Sequence, residues 1–287
     1  MKTILYTCSA LIAFAMNSIL CRLALGTEAI DAASFTVIRL ISGAVTLVTI
    51  SLFFSKKESE TKGGNWLSAF FLFAYAICFS FAYINLTTGT GALILFGTVQ
   101  ATMIIVALQS GERPKLLEWI GLFFALGGLV YLVFPGLTAP PLASSLFMFA
   151  AGVSWGFYTL SGKGSTNPLK ETTENFIRAV PMIILASLPF IFQTNLSVRG
   201  VLLAVLSGSI ASGIGYSVWY GALKFHTATR AAILQLSVPV LSAIGGVIFL
   251  SETVSIRLLL ATVFILGGIA MAILGRKYFK NNDGKGK

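Results

Sequence analysis

Apolar residues in this chain do not alternate with polar ones at a surface-helix or strand period. They come in unbroken runs, separated by short charged or turn-forming clusters. Ten runs stand out, near residues 3–25, 32–54, 65–86, 89–110, 116–134, 141–161, 175–193, 198–223, 228–250 and 256–275. Their lengths, about 19–26 residues, suit α-helices that cross the hydrocarbon core of a bilayer. Clusters such as Lys56-Lys57-Glu58, Glu112-Arg113 and Lys163 mark the connections, and the longest of these cover residues 56–64 and 162–173. The pattern predicts an all-α integral membrane protein of ten transmembrane helices in one bundle, with no soluble domain. The first run begins after Lys2, reaches about Leu25 and is followed by further spans without a small-x-small cleavage site, so it reads as a retained helix and not as a signal peptide.

Composition agrees with this picture. Only 10% of residues are charged, where a soluble domain carries about 25%. The net charge of +10 raises the question of nucleic acid, but the basic residues lie at span ends and form no continuous stripe. Orientation in the bilayer accounts for them better. Ten spans put both termini on one side. On that side fall fifteen Lys and Arg, including Lys2, Lys56, Lys57, Lys62 and the tail residues from Arg276 on, whereas the opposite loops hold only Arg199 and Arg257. The positive-inside rule then predicts cytoplasmic termini. The basic tail, 277–287, is expected to meet anionic headgroups. Cys8, Cys21 and Cys78 all fall within apolar runs and read as small packing residues.

The two halves of the chain repeat each other. Phe176-Ile177-Arg178 matches Val37-Ile38-Arg39, and Ala231-Ala232-Ile233-Leu234 matches Ala92-Leu93-Ile94-Leu95, both at an offset of 139. Glu252 matches Glu112, and Leu266-Gly267-Gly268 matches Leu126-Gly127-Gly128, at an offset of 140. The expected units are residues 1–135 and 141–276, with five spans each. An odd number of spans forces the second unit to enter the membrane from the opposite side, giving inverted-topology repeats. Such folds place a substrate site near the midplane between the halves and expose it alternately by rocking.

The paired arginines, the glutamates after the fourth and ninth spans, the Gly-Gly pairs of the fifth and tenth, and Ser154-Trp155-Gly156 together resemble the ten-helix EamA-like branch of the drug/metabolite transporter superfamily. The resemblance covers essentially the whole chain. It implies a bacterial inner-membrane exporter of amino acids, other metabolites or toxic compounds. Gln100 stands opposite Pro239, and Met16-Asn17 opposite Trp155-Gly156, so the two halves line any central cavity unequally.

The candidate substrate-binding residues are polar or amphipathic groups inside apolar runs: Asn17, Arg39, Tyr83, Gln100, Trp155, Tyr158, Tyr216, Trp219 and Gln235. Arg39 lies roughly 10 Å into its span at about 1.5 Å per residue. A charge there costs a few kcal/mol and needs a partner or water; it either meets an anionic substrate or snorkels to the interface. The amides either line the cavity or bond across helices, for about 0.6 kcal/mol each. Trp66 and Trp119 sit at span ends as interfacial anchors. The small-residue run from Ser207 to Gly215 reads as close packing or as a sliding surface. Glu112 and Glu252 read as loop or capping residues, and His226 as a solvated one. No catalytic constellation, metal cluster or cofactor motif appears, so no enzyme activity and no cofactor are expected. The expected partners are a small-molecule substrate and membrane lipids, with the protein as monomer or homodimer. The competing reading is a non-transporting scaffold or lipid-binding membrane protein.

Overall fold

A computed structural model describes residues 2–54, 63–109, 116–133, 139–162, 165–226, 234, 235 and 237–283. These residues are helical throughout, apart from turns and one isolated bridge between Ile30 and Leu196. The helices are α1 (Lys2–Leu25), α2 (Ala32–Phe54), α3 (Trp66–Tyr83), α4 (Thr88–Gln109), α5 (Leu116–Val133), α6 (Leu142–Gly162) and α7 (Pro168–Ser187). A 3-10 turn (Leu188–Gln193) extends α7. Next come α8 (Val198–Leu206), a π-helical segment (Ser207–Ile214) and α9 (Gly215–Leu223), and then α10 (Ser237–Leu250) and α11 (Ile256–Asp283). Six helical stretches are long and apolar enough to cross a membrane: Thr3–Leu25, Ala32–Phe53, Trp66–Tyr83, Thr88–Val106, Pro168–Gln193 and Val198–Leu223. Shorter apolar helices follow at Trp119–Leu132, Ser237–Leu250 and Ile256–Gly268.

Most boundaries fall within a few residues of the hydropathy pattern. Two boundaries depart from it: α11 continues to Asp283, eight residues past its apolar run, and α7 begins seven residues before its own. Asn167 accepts a bond from the Lys170 amide, and Pro168 occupies the first helical turn; both are N-terminal helix signals that act regardless of hydropathy. Glu171 and Glu174 therefore lie on a helix and not in a loop.

The connections sort into two ends. At one, Asn195 and Ser197 bond the 28–31 turn, Asn85 bonds Ser144, and Glu252 bonds Thr88. At the other, Asn65 bonds Asn175, Lys224 bonds the Thr166 carbonyl, and Thr7 bonds His226 at 2.8 Å. His226 is thus tied to α1, where the sequence suggested only a solvated residue. Trp66 and Trp119 are exposed, as anchors should be. The candidates Glu112, Lys56, Lys57 and Lys163, and the matched residues 231–233, lie outside the described residues.

The outer surface is paved with Leu, Ile, Val and Phe, many of them more than half exposed. The interior holds Arg39, Asn17, Gln100, Gln235 and several serines and threonines. Water-soluble folds place these classes the other way round. Lipid favours this arrangement, because it solvates the apolar exterior and leaves polar groups to find one another inside.

A candidate substrate site around Arg39

The site assembles where α1, α2, α3, α4, α6, the π-segment and α9 meet. Arg39 is 1% exposed. It does not snorkel. Its Nε donates to Ser212 Oγ at 3.0 Å, and its Nη2 donates to the hydroxyls of Tyr216 at 2.7 Å and Tyr75 at 3.2 Å. The guanidinium carbon lies 5.3 Å from the Tyr75 ring centroid and 5.0 Å from that of Phe79, within reach of cation–π attraction. Asn17 completes the cluster. Its Nδ2 donates to Tyr75 and Tyr216, and its Oδ1 accepts from Ser207 at 2.6 Å.

The π-segment explains why both serines reach this cluster. In an α-helix, residues five apart diverge by about 140° around the axis. Hydrogen bonding from i to i+5 winds the chain wider and stacks such residues on one face. Ser207 and Ser212 are five apart, and Tyr216 follows one turn later. Glycines let the backbones meet, since a Cβ on Gly208 would collide with the Arg39 carbonyl and the Ser42 hydroxyl. The small-residue run is therefore both a packing surface and the scaffold of the site.

An aromatic wall closes the other side. Trp155 lies 4.6 Å from Tyr216, 4.8 Å from Tyr75 and 5.5 Å from Phe14, centroid to centroid. Phe14 also meets Trp219 at 5.5 Å, edge to face. Between polar cluster and aromatic wall is a space of about 10 Å³, room for about one water molecule. Phe14, Asn17, Tyr75, Phe96, Trp155 and Tyr216 line it, with Ser18, Phe79 and Leu95, and every one of them is buried.

Of the residues singled out in the sequence, Asn17, Arg39, Trp155 and Tyr216 come together here. Trp219 stands behind Phe14, and Tyr158 stacks on Trp155 at 5.5 Å. Tyr83 lies further along α3, edge-on to Phe79, and its hydroxyl donates to the Thr88 carbonyl. Gln100 and Gln235 are buried but do not line the cavity. Arg178, the repeat partner of Arg39, is part-exposed and pairs with Glu174 at 3.0 Å. Tyr75 and Phe14 escaped the sequence reading, and Ser207 and Ser212 entered it only as members of the small-residue run. Tyr75 carried a usable signal: a phenol in the tenth position of an eighteen-residue span is too deep for an interfacial belt.

A second polar set closes one end of the bundle. Glu252 accepts the Thr88 amide with both carboxylate oxygens, at 3.0 and 2.8 Å, and so caps the N-terminus of α4. Arg22 lies 3.5 Å from the same carboxylate and donates to the carbonyls of Tyr83 and Ile84.

An apolar exterior around a buried, cationic, aromatic-walled cluster marks a multi-pass membrane protein. The chain belongs to the EamA-like transporter family, whose sequence pattern matches residues 1–134 and 142–274. An uncharacterized protein of Pseudomonas aeruginosa is 46% identical over 96% of each chain. A probable amino-acid metabolite efflux pump of Salmonella typhimurium is 24% identical over 70% of this chain and 72% of its own. The threonine/homoserine exporter RhtA of Escherichia coli is 30% identical over 59% of this chain and 57% of its own. One crystal structure, 20% identical, superposes over 94% of this chain and 97% of its own with a TM-score of 0.64, a likeness of fold alone.

Proposed function

We propose that the protein is a secondary transporter that exports small metabolites, amino acids or compact amphipathic compounds, by alternating access about the Arg39 site. The carrying observation is the cluster itself: a buried arginine, an amide, two phenols and two serines drawn from α1, α2, α3, the π-segment and α9 around room for one water. A structural core gains little from so many desolvated polar groups, whereas a transport site needs them at the moment the cargo sheds its water. In this reading, residues 1–135 and 141–276 are inverted five-helix repeats, ten spans in all, and the site lies between them. The cavity is far smaller than any amino acid, so loading requires the helices to part. The Glu252–Thr88–Arg22 contacts at one end are suited to be the closed gate. Positive-inside asymmetry supports cytoplasmic termini in a bacterial inner membrane, and in that orientation this gate is the outer one. The relatives named as efflux pump and exporter support the outward direction.

The test is flux. Proteoliposomes loaded with a mixed pool of amino acids and metabolites are expected to lose a few compounds selectively. Trp155→Ala, which removes the ring at the centre of the aromatic wall, should slow that loss at least tenfold. A folded protein that releases nothing selectively in either orientation supports the scaffold or lipid-binding alternative and sinks the transport reading.

A further inference from the structure

Arg39 differs from Arg22 and Arg178, the two other arginines inside or at the edges of the predicted spans. Arg22 faces the Glu252 carboxylate and Arg178 faces Glu174. Arg39 is more deeply buried than either, yet no Asp or Glu pairs with it among the described residues. Its acceptors are all neutral hydroxyls, and its Nη1 has no hydrogen-bond partner there. Guanidinium does not lose its proton in proteins, so the charge is permanent. A buried charge ordinarily carries a counter-charge with it.

The hydrogen-bond count points the same way. Three donors converge on the Tyr75 oxygen: Arg39 Nη2, Asn17 Nδ2 and the Tyr216 hydroxyl. A hydroxyl oxygen has two lone pairs. The Tyr216 oxygen takes two more donors, from Arg39 and Asn17. The cluster is therefore rich in donors and short of acceptors, as well as short of negative charge. Its two phenols and Asn17 line the cavity, with Arg39 directly behind them. The wall opposite is made of Phe14, Phe96 and Trp155.

We propose that a carboxylate on the cargo supplies the missing acceptors and the missing charge, seated against the Tyr75 and Tyr216 hydroxyls and Asn17 Nδ2 with the Arg39 guanidinium behind them. The aromatic wall takes the apolar body. Arg39 is then the residue that restricts this transporter to small acids, and a single guanidinium suits one carboxylate better than a phosphate dianion. This rests on the transport reading and sharpens it from metabolites in general to acids with an apolar body.

The experiment compares matched ligands on the purified protein in lipid nanodiscs. The probes are the common amino acids other than aspartate and glutamate, their carboxamides and their decarboxylated amines. All three series keep the amino group, and only the first carries a carboxylate. Binding is read by thermal stabilisation and by tryptophan fluorescence. Some of the acids are expected to bind at least tenfold more tightly than their own amides and amines. In Arg39→Gln that ratio should collapse to about one. Tyr216→Phe, which leaves the charge in place, should lower the ratio without abolishing it. The wild-type ratio needs no variant, so a misfolded Arg39→Gln protein leaves the test intact. Acids and amides that bind alike to the wild type overturn the assignment to Arg39 while leaving a working transport site. Selective flux of compounds without a carboxylate, in the liposome assay, overturns it in the same way. Absence of both binding and flux removes the transport reading itself, and this inference with it.

Discussion

Ser212 is the only acceptor that Arg39 Nε has among the described residues, at 3.0 Å. Ser212→Ala leaves that nitrogen buried without a partner, a loss of about 1–3 kcal/mol. The expected outcome is a clear fall in the thermal unfolding midpoint of the detergent-solubilised protein. Ser209→Ala is the control, because among the described residues the Ser209 hydroxyl bonds only the Val205 carbonyl one turn back, and its midpoint should hardly move. An equal response from the two variants would show that Ser212 does not support Arg39. Depth within an apolar run was enough to single out Arg39, Asn17, Trp155 and Tyr216 in the sequence, since a polar group there must find company. Depth separates Arg39, about seven residues into its run, from Arg178, about three into its own, but it does not say what either one pairs with. The two occupy matched positions in the repeat, but the carboxylate of Glu174 stands one turn from Arg178, and no carboxylate stands one turn from Arg39. Read as a local charge count, that difference was available in the sequence. Tyr75 was available too, by the same depth argument that singled out Trp155.

At the scale of elements, hydropathy located six long apolar helices and several shorter ones because membrane spans have to be long and apolar, and it misplaced the start of α7 and the end of α11 because helices begin and continue through polar residues that it does not weigh. It could not locate the π-segment. A change of hydrogen-bond register from i+4 to i+5 has no compositional signature, and Ser207–Ile214 reads simply as small residues. The consequence is nonetheless specific, because that segment presses on α2 through Gly208. A methyl group at this position meets the Arg39 carbonyl, a backbone atom that cannot swing away, and the Ser42 hydroxyl. Gly208→Ala should therefore push α2 and the π-segment apart, at a cost of about 1–3 kcal/mol for overpacking, and loosen the bond between Arg39 and Ser212. Gly221→Ala, with open space around its Cβ, should be neutral or slightly stabilising, as helix propensity alone predicts. Unfolding midpoints and flux measured on both variants check the pair. If Gly208→Ala retains wild-type flux, the close approach is incidental to the site.

Over the whole molecule, transport by alternating access requires that one end of the bundle open while the other stays shut, and on the proposed reading the Glu252 contacts are the fastening of one end. Ser251 ends α10 in the left-handed region at φ 55° and turns the chain so that Glu252 reaches across to α4. There it caps Thr88 with both oxygens and faces Arg22. Nothing in the sequence reveals this contact, because one partner is a backbone amide 164 residues away. A charged cap of this kind is worth about 1–2 kcal/mol, and each 1.4 kcal/mol is about tenfold in a population. Cys21 is a built-in reporter. It is fully buried, adjacent to Arg22 and one turn from Asn17, so it lies between the fastening and the site. With Cys8 and Cys78 replaced by serine, Glu252→Ala should raise the rate at which a membrane-impermeant maleimide labels Cys21 from the outer face about tenfold. The repeat pairs Glu112 with Glu252, and Thr227 with Thr88. If the second half re-uses the fastening on the opposite face, Glu112→Ala should slow Cys21 labelling from outside, because it favours the inward-open state at the expense of the outward-open one. Labelling that rises in both variants would mean that each merely loosens the bundle, and the two ends would then not be coupled as alternating access demands.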